Sequence, residues 1–162
     1  MLTLLQAFWR ITLLTLGPED LPGSRFFMAV AAAFFVLAEA LVVLSLYPLE
    51  LVVPIVVLDT LLLTVWVVAG LAVAGHLSRL APTLAALFGA SGVLQLVSYP
   101  LVVFLSQEAS VLPLVLVLLW SIAVYAHIIS RATDWTYASG VWAAVAYVVV
   151  SFQLIGAVLP DT

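Results

Sequence analysis

Cysteine and lysine are both absent from this chain of 162 residues, and its formal charge comes from four arginines and eight acids. Without cysteine there is no disulfide, no thiolate metal site and no cysteine nucleophile. Four arginines in a chain of net charge −4 cannot line a phosphate-tracking groove, which excludes nucleic acid as a partner. Charged residues make up 7% of the chain and hydrophobic residues 67%, against about 25% and about 45–50% in a soluble domain. So short a chain cannot hide that much apolar surface from water. With a mean hydropathy of +1.36, it reads as an integral membrane protein.

The common catalytic signatures are missing too. There is no nucleophile elbow, no phosphate-binding glycine loop and no metalloprotease helix motif, and no serine and histidine stand at clear catalytic spacing. His76 and His127 are the only histidines. They could share a metal only with a carboxylate such as Asp134, and a catalytic zinc site needs three protein ligands. The chain is therefore expected to be no enzyme, with no catalytic residue, no metal and no cofactor.

Five long apolar runs are present. They predict an all-α integral membrane bundle of five transmembrane helices over residues 25–47, 51–75, 80–105, 111–130 and 138–159, each long enough for a hydrocarbon core of about 30 Å. Residues 1–24 precede this domain of residues 25–162. Thr3, Gln6 and Arg10 make a narrow polar stripe on an otherwise apolar segment that Gly17-Pro18 stops. The segment predicts an amphipathic interfacial helix with Trp9 at headgroup depth. A signal peptide is the competing reading, but there is no basic start and no small-x-small cleavage site. A turn-rich linker follows over residues 17–24, and Ser24 is placed to cap the first span.

The charges predict an orientation. With the N-terminus cytoplasmic, Arg10, Arg25, Arg79 and Arg131 all lie inside, while Glu50, Glu108 and Asp161 lie outside. That is a positive-inside pattern without exception, and it puts the C-terminus in the periplasm. Pro54, Pro100 and Pro113 fall in or near the ends of spans, and Pro100 predicts a kink. The patch Gly89-Ala90-Ser91-Gly92 predicts close helix packing within the bundle, with a dimer contact as the alternative. Trp66 and Trp120 are expected inside the bundle, each with a polar partner for its N–H, and Trp135 and Tyr137 at the interface.

The sharpest chemical feature is a pair of acids. Glu39 in the first span and Asp59 in the second each lie ten residues from a turn centred near Leu49, so both sit roughly 15 Å into the bilayer. No basic residue inside a span offers a deep partner. Two close acids at one depth would share a proton and titrate as a pair. One reading is a proton or cation site. The other is a neutral interhelical hydrogen bond. Gln95, with Gln153, Thr60, Thr64 and Ser121, could complete either network. At the cytoplasmic face, Arg79, Arg131 and His127 are candidate contacts for anionic headgroups.

Two further stretches resemble a known family. The first runs Gly75-His76-Leu77-Ser78-Arg79-Leu80-Ala81-Pro82-Thr83-Leu84 and on to Tyr99-Pro100-Leu101. The second runs from Trp120-Ser121-Ile122 through His127, Ile128 and Arg131 into the last apolar helix. Together with the five-span plan they resemble the YIP family of small membrane proteins (Ypt/Rab-interacting type, with many bacterial members). The linker Gly17-Pro18-Glu19-Asp20-Leu21-Pro22 is similar to one in small proteobacterial membrane proteins. The resemblance implies a multi-pass protein of the bacterial inner membrane. Eukaryotic relatives act in vesicle trafficking and bind small GTPases through longer N-terminal regions than the two dozen or so residues before this chain's first span. The resemblance implies a non-enzymatic role in organising membrane or partner proteins. The partners expected are the lipid bilayer and a second copy or another membrane protein. The alternative is a small proton- or cation-linked transporter or channel component using Glu39 and Asp59.

Overall fold

A computed structural model describes residues 4–158. Thr3 of the polar stripe, Asp161 among the outer acids and the end of the last span lie outside the described residues. Among them the fold is all-α, with a short N-terminal helix before five helices long and apolar enough to cross a membrane. We number the helices α1 (Leu4–Thr12), α2 (Arg25–Leu46), α3 (Leu49–Ala74), α4 (Leu80–Phe104), α5 (Gln107–Thr133) and α6 (Tyr137–Val158).

Local chemistry sets the boundaries. Ser24 Oγ accepts from the Phe27 amide at 3.1 Å and Ser106 Oγ from the Ala109 amide at 3.4 Å, capping α2 and α5. Gly75 ends α3 in the left-handed region at φ 76, where a residue without a Cβ is at no cost. Asp134 ends α5 at φ 59. Pro54, Pro100 and Pro113 all lie inside helices, so each span continues through its proline.

The spans form a closed ring in the order α2, α4, α5, α6, α3, with α3 returning to α2. Arg25, Arg79 and Arg131 mark one end of the bundle, and the α2–α3 and α4–α5 turns mark the other. Toward the arginine end the ring is filled. Leu63, Val67 and Leu71 of α3 pack with Leu84 and Leu87 of α4 and with Val124 and Ile128 of α5. Outward-facing side chains such as Leu37, Val57, Leu61, Val65 and Trp142 are exposed and apolar, which suits contact with lipid.

The short N-terminal helix is present, and part of its apolar surface is covered by protein while Leu4, Leu5 and Trp9 remain exposed. Phe8 and Ile11 are fully buried. The Phe8 ring lies 5.8 Å from Phe27 and stacks at 5.9 Å on Phe34. A Cβ on Gly89 would overlap the edge of that ring, and one on Gly92 would come within 2.5 Å of Phe34. The small-residue patch of α4 is thus used inside the bundle: Gly89 seats α1 and Gly92 seats α2. Trp120 Nε1 donates to the Thr12 carbonyl at 2.9 Å, and His127 Nε2 lies 3.1 Å from the Leu16 carbonyl. These bonds tie the N-terminal segment along α5.

Candidate functional site

Each acid of the pair sits on the inward stripe of its helix. On α2 the buried residues are Ala31, Phe35, Ala38, Glu39, Val42 and Val43. On α3 they are Val52, Ile55, Val56, Leu63, Val67 and Leu71, and half-buried Asp59 continues the same stripe. Helical spacing of three and four therefore turns both carboxyls toward the ring's centre.

There they meet. The Glu39 carboxyl lies within hydrogen-bonding reach of Asp59. Two ionised carboxylates have no proton to form that bond, so one proton must lie between them for it to exist. Asp59 Oδ1 also accepts from Tyr147 at 2.9 Å and from Ser151 at 2.8 Å, both on α6. Glu39 is only 3% exposed. Its Oε2 is the one buried side-chain polar atom without a hydrogen-bond donor among the described residues. Nearby, Tyr125 and Ser91 hydroxyls pair at 2.6 Å. The Tyr147 ring is held 5.6 Å from Tyr125 and 6.1 Å from Trp66.

Both acids line a cavity of about 500 Å³ at the centre of the ring. It reaches from Glu39 and Asp59 to Tyr47, Val102 and Gly156, near the ends of α2, α4 and α6 away from the arginines. Tyr125 and Ser91 stand where the cavity gives way to the packed half. Among the described residues no arginine, lysine or histidine lines it.

The other residues singled out in the sequence fall in several places. Gln95 lines the cavity, but no hydrogen bond joins it to either acid. Ser121 also lines it and donates to the Leu118 carbonyl of its own helix at 2.7 Å. Thr60 and Thr64 likewise return to their own helix, at 2.7 and 2.8 Å. Gln153 is exposed. It lies two residues beyond Ser151, which turns it about 200° away on a helix of 3.6 residues per turn. The α6 residues that do reach Asp59 were missed in the sequence. Their signal was the buried stripe Gly140, Ala144, Tyr147 and Ser151, small or polar at helical spacing.

At the arginine end, the three candidate headgroup contacts all have partners within the protein. Arg79 Nη1 lies 3.0 Å from Asp134 Oδ2 and donates to the Ala132 carbonyl at 3.1 Å. His76 Nε2 lies 3.1 Å from the same Asp134 oxygen. Arg131 pairs with Glu19 of the linker, and His127 meets Leu16. The hydrogen bond from Arg79 holds the Asp134 carboxyl below the usual carboxylate range. Among the described residues no group of three or more metal-ligating side chains comes together.

Comparison with protein-family models, curated proteins and solved structures yields no match.

Proposed function

We propose that this protein is a proton-linked cation-binding component of a bacterial inner membrane, taking its ligand into the central cavity from the periplasmic side. One observation carries the reading: Glu39 Oε2, almost fully buried and without a donor, beside a second carboxyl in a cavity. A structural contact would satisfy such an atom, because an unpartnered buried acceptor is costly. An exchangeable site keeps a place free for a proton or a cation.

In this reading the negative charge rests on Asp59, which takes two hydroxyl donors, and the shared proton rests on Glu39. The positive-inside pattern supports placing the arginine end in the cytoplasm. The packed half and the Arg79–Asp134 and Arg131–Glu19 pairs close that side.

Infrared difference spectroscopy in lipid tests this. A protonated carboxyl band should respond to pH across the neutral range, exchange when D2O reaches the cavity side, and vanish in Glu39→Gln. A band indifferent to both would mean a sealed structural contact. The organising role implied by the YIP resemblance would then be the reading left.

A further inference from the structure

The cavity also says what kind of cation fits. We infer that the ligand is a monovalent organic cation with an apolar body, seated in the central cavity with its charge toward Asp59 and Glu39. The inference rests on the proton-linked site proposed above and names its substrate class.

Size comes first. A volume of about 500 Å³ lies within the range of about 300–1,000 Å³ typical of small-molecule sites, and far exceeds a bare ion. The lining comes second. Apolar groups make most of the wall, Phe35, Leu94, Val117, Val148, Phe152 and Ile155 among them. These offer nothing to the hydration shell of a metal ion, so that away from the acids only scattered hydroxyls and Gln95 supply oxygens. Aromatic rings near the acids add a second attraction. Tyr125 and Tyr147 line the cavity beside Phe35, and aromatic faces attract weakly hydrated cations.

Donor chemistry argues the same way. A calcium ion takes six to eight oxygens, and magnesium needs near-octahedral geometry. Here Asp59 Oδ1 already accepts from two hydroxyls, and among the described residues no third carboxylate or histidine lines the cavity. A diffuse organic cation needs no coordination shell. It needs one unbalanced negative charge in an apolar room, which the acid pair with one proton supplies. The titratable groups facing Glu39 are Asp59 on α3, Tyr125 on α5 and Tyr147 on α6, with Tyr47 farther out in the cavity. None of them is basic, so none opposes a cation. As the cation settles, its charge favours ionisation of Glu39, and the shared proton leaves to the water outside.

Two probes of one shape and opposite charge decide the matter. Tetraphenylphosphonium and tetraphenylborate are titrated against the full chain in lipid nanodiscs, with Asp59→Asn as the baseline for partitioning into lipid. The expected result is saturable phosphonium binding at one site per chain, weakened more than 100-fold in Asp59→Asn, and no saturable borate binding. Sodium, calcium and magnesium at millimolar concentration should not compete. Displacement of the phosphonium by a divalent ion would overturn the organic-cation inference. So would equal binding of the borate, or no phosphonium binding where the infrared carboxyl band still responds to pH and D2O; the proton-linked site would then stand alone. A silent carboxyl band with no phosphonium binding would sink both proposals together.

Discussion

The two acids of the cavity are chemically unequal, and their amide variants should fail in different ways. Asp59 has donors from Tyr147 and Ser151, whereas Glu39 Oε2 has none. Asp59→Asn keeps an oxygen for both hydroxyls and should leave the fold intact, but it removes the charge. For a cation centred about 5 Å from that charge, at an effective dielectric of about 20, the lost attraction is about 3 kcal/mol. That corresponds to about a 200-fold weaker affinity. Glu39→Gln leaves the Asp59 charge in place, and its amide N–H can replace the shared proton. Affinity should then change by less than about threefold, within about 0.7 kcal/mol. The proton count, however, should collapse. Calorimetry of phosphonium binding in two buffers of different ionisation enthalpy reads that count. It should fall from close to one proton per cation in the native chain to none in Glu39→Gln. Equal losses of affinity in the two variants, or an unchanged proton count in Glu39→Gln, would refute the assignment of charge and proton.

Three further outcomes follow from packing and charge. A Cβ on Gly140 would come 2.5 Å from the Ala126 carbonyl oxygen of α5, and backbone cannot step aside. Gly140→Ala should therefore destabilise the α5–α6 pair by about 1–3 kcal/mol, the usual range for overpacking, read as a lower unfolding midpoint in detergent. Gly89→Ala should unseat α1, because the Phe8 ring occupies the space that the new Cβ would need. With no native cysteine, two introduced labels on Thr15 and Ser78 would report the change in distance, and adding Phe8→Ala should restore it. The third concerns acid. Because Arg79 depresses the Asp134 carboxyl, the clamp it stabilises is fully present above the ordinary value of 3.8 and is lost as pH falls through the lowered value. Hydrogen exchange of the amides at residues 77–79 should rise only there, and Asp134→Asn should abolish the pH dependence.

Much of this fold was legible in the sequence because lipid imposes a simple rule: backbone polar groups must be satisfied within each span. Length and apolarity alone fix five helices under that rule, and Ser24 and Gly75 mark two of their ends in plain chemical terms. Facing directions were harder. In α3 nearly every side chain is apolar, so no face stands out by hydropathy, and the inward side is set by shape. Glu39 and Asp59 were legible as a pair by depth. Their partners on α6 were not, although Tyr147 and Ser151 repeat at helical spacing beneath Gly140 and Ala144. Gln153 drew attention by its polarity and points outward. The short N-terminal helix was legible, but not that Phe8 and Ile11 of it turn into the bundle while Leu5 and Trp9 stay exposed, since an apolar side chain reads the same whether lipid or Gly89 receives it.

The cavity reaches the end of the bundle away from the arginines, and that gives it an electrical consequence. Asp59 lies ten residues along α3 from Leu49, roughly 15 Å from that end, or about half of a 30 Å hydrocarbon core. A cation travelling from the mouth to the acids therefore crosses about half of the transmembrane voltage. One elementary charge across the whole field is worth about 2.3 kcal/mol per 100 mV, so this step is worth about 1 kcal/mol. In the native chain the shared proton leaves by the same mouth, so its movement cancels the cation's and binding is indifferent to voltage. In Glu39→Gln, which releases no proton, a cytoplasm negative by about 100 mV with the mouth in the periplasm would tighten binding by about sevenfold. The exchangeable proton would thus make the site blind to membrane voltage, and its removal would make it voltage-sensitive.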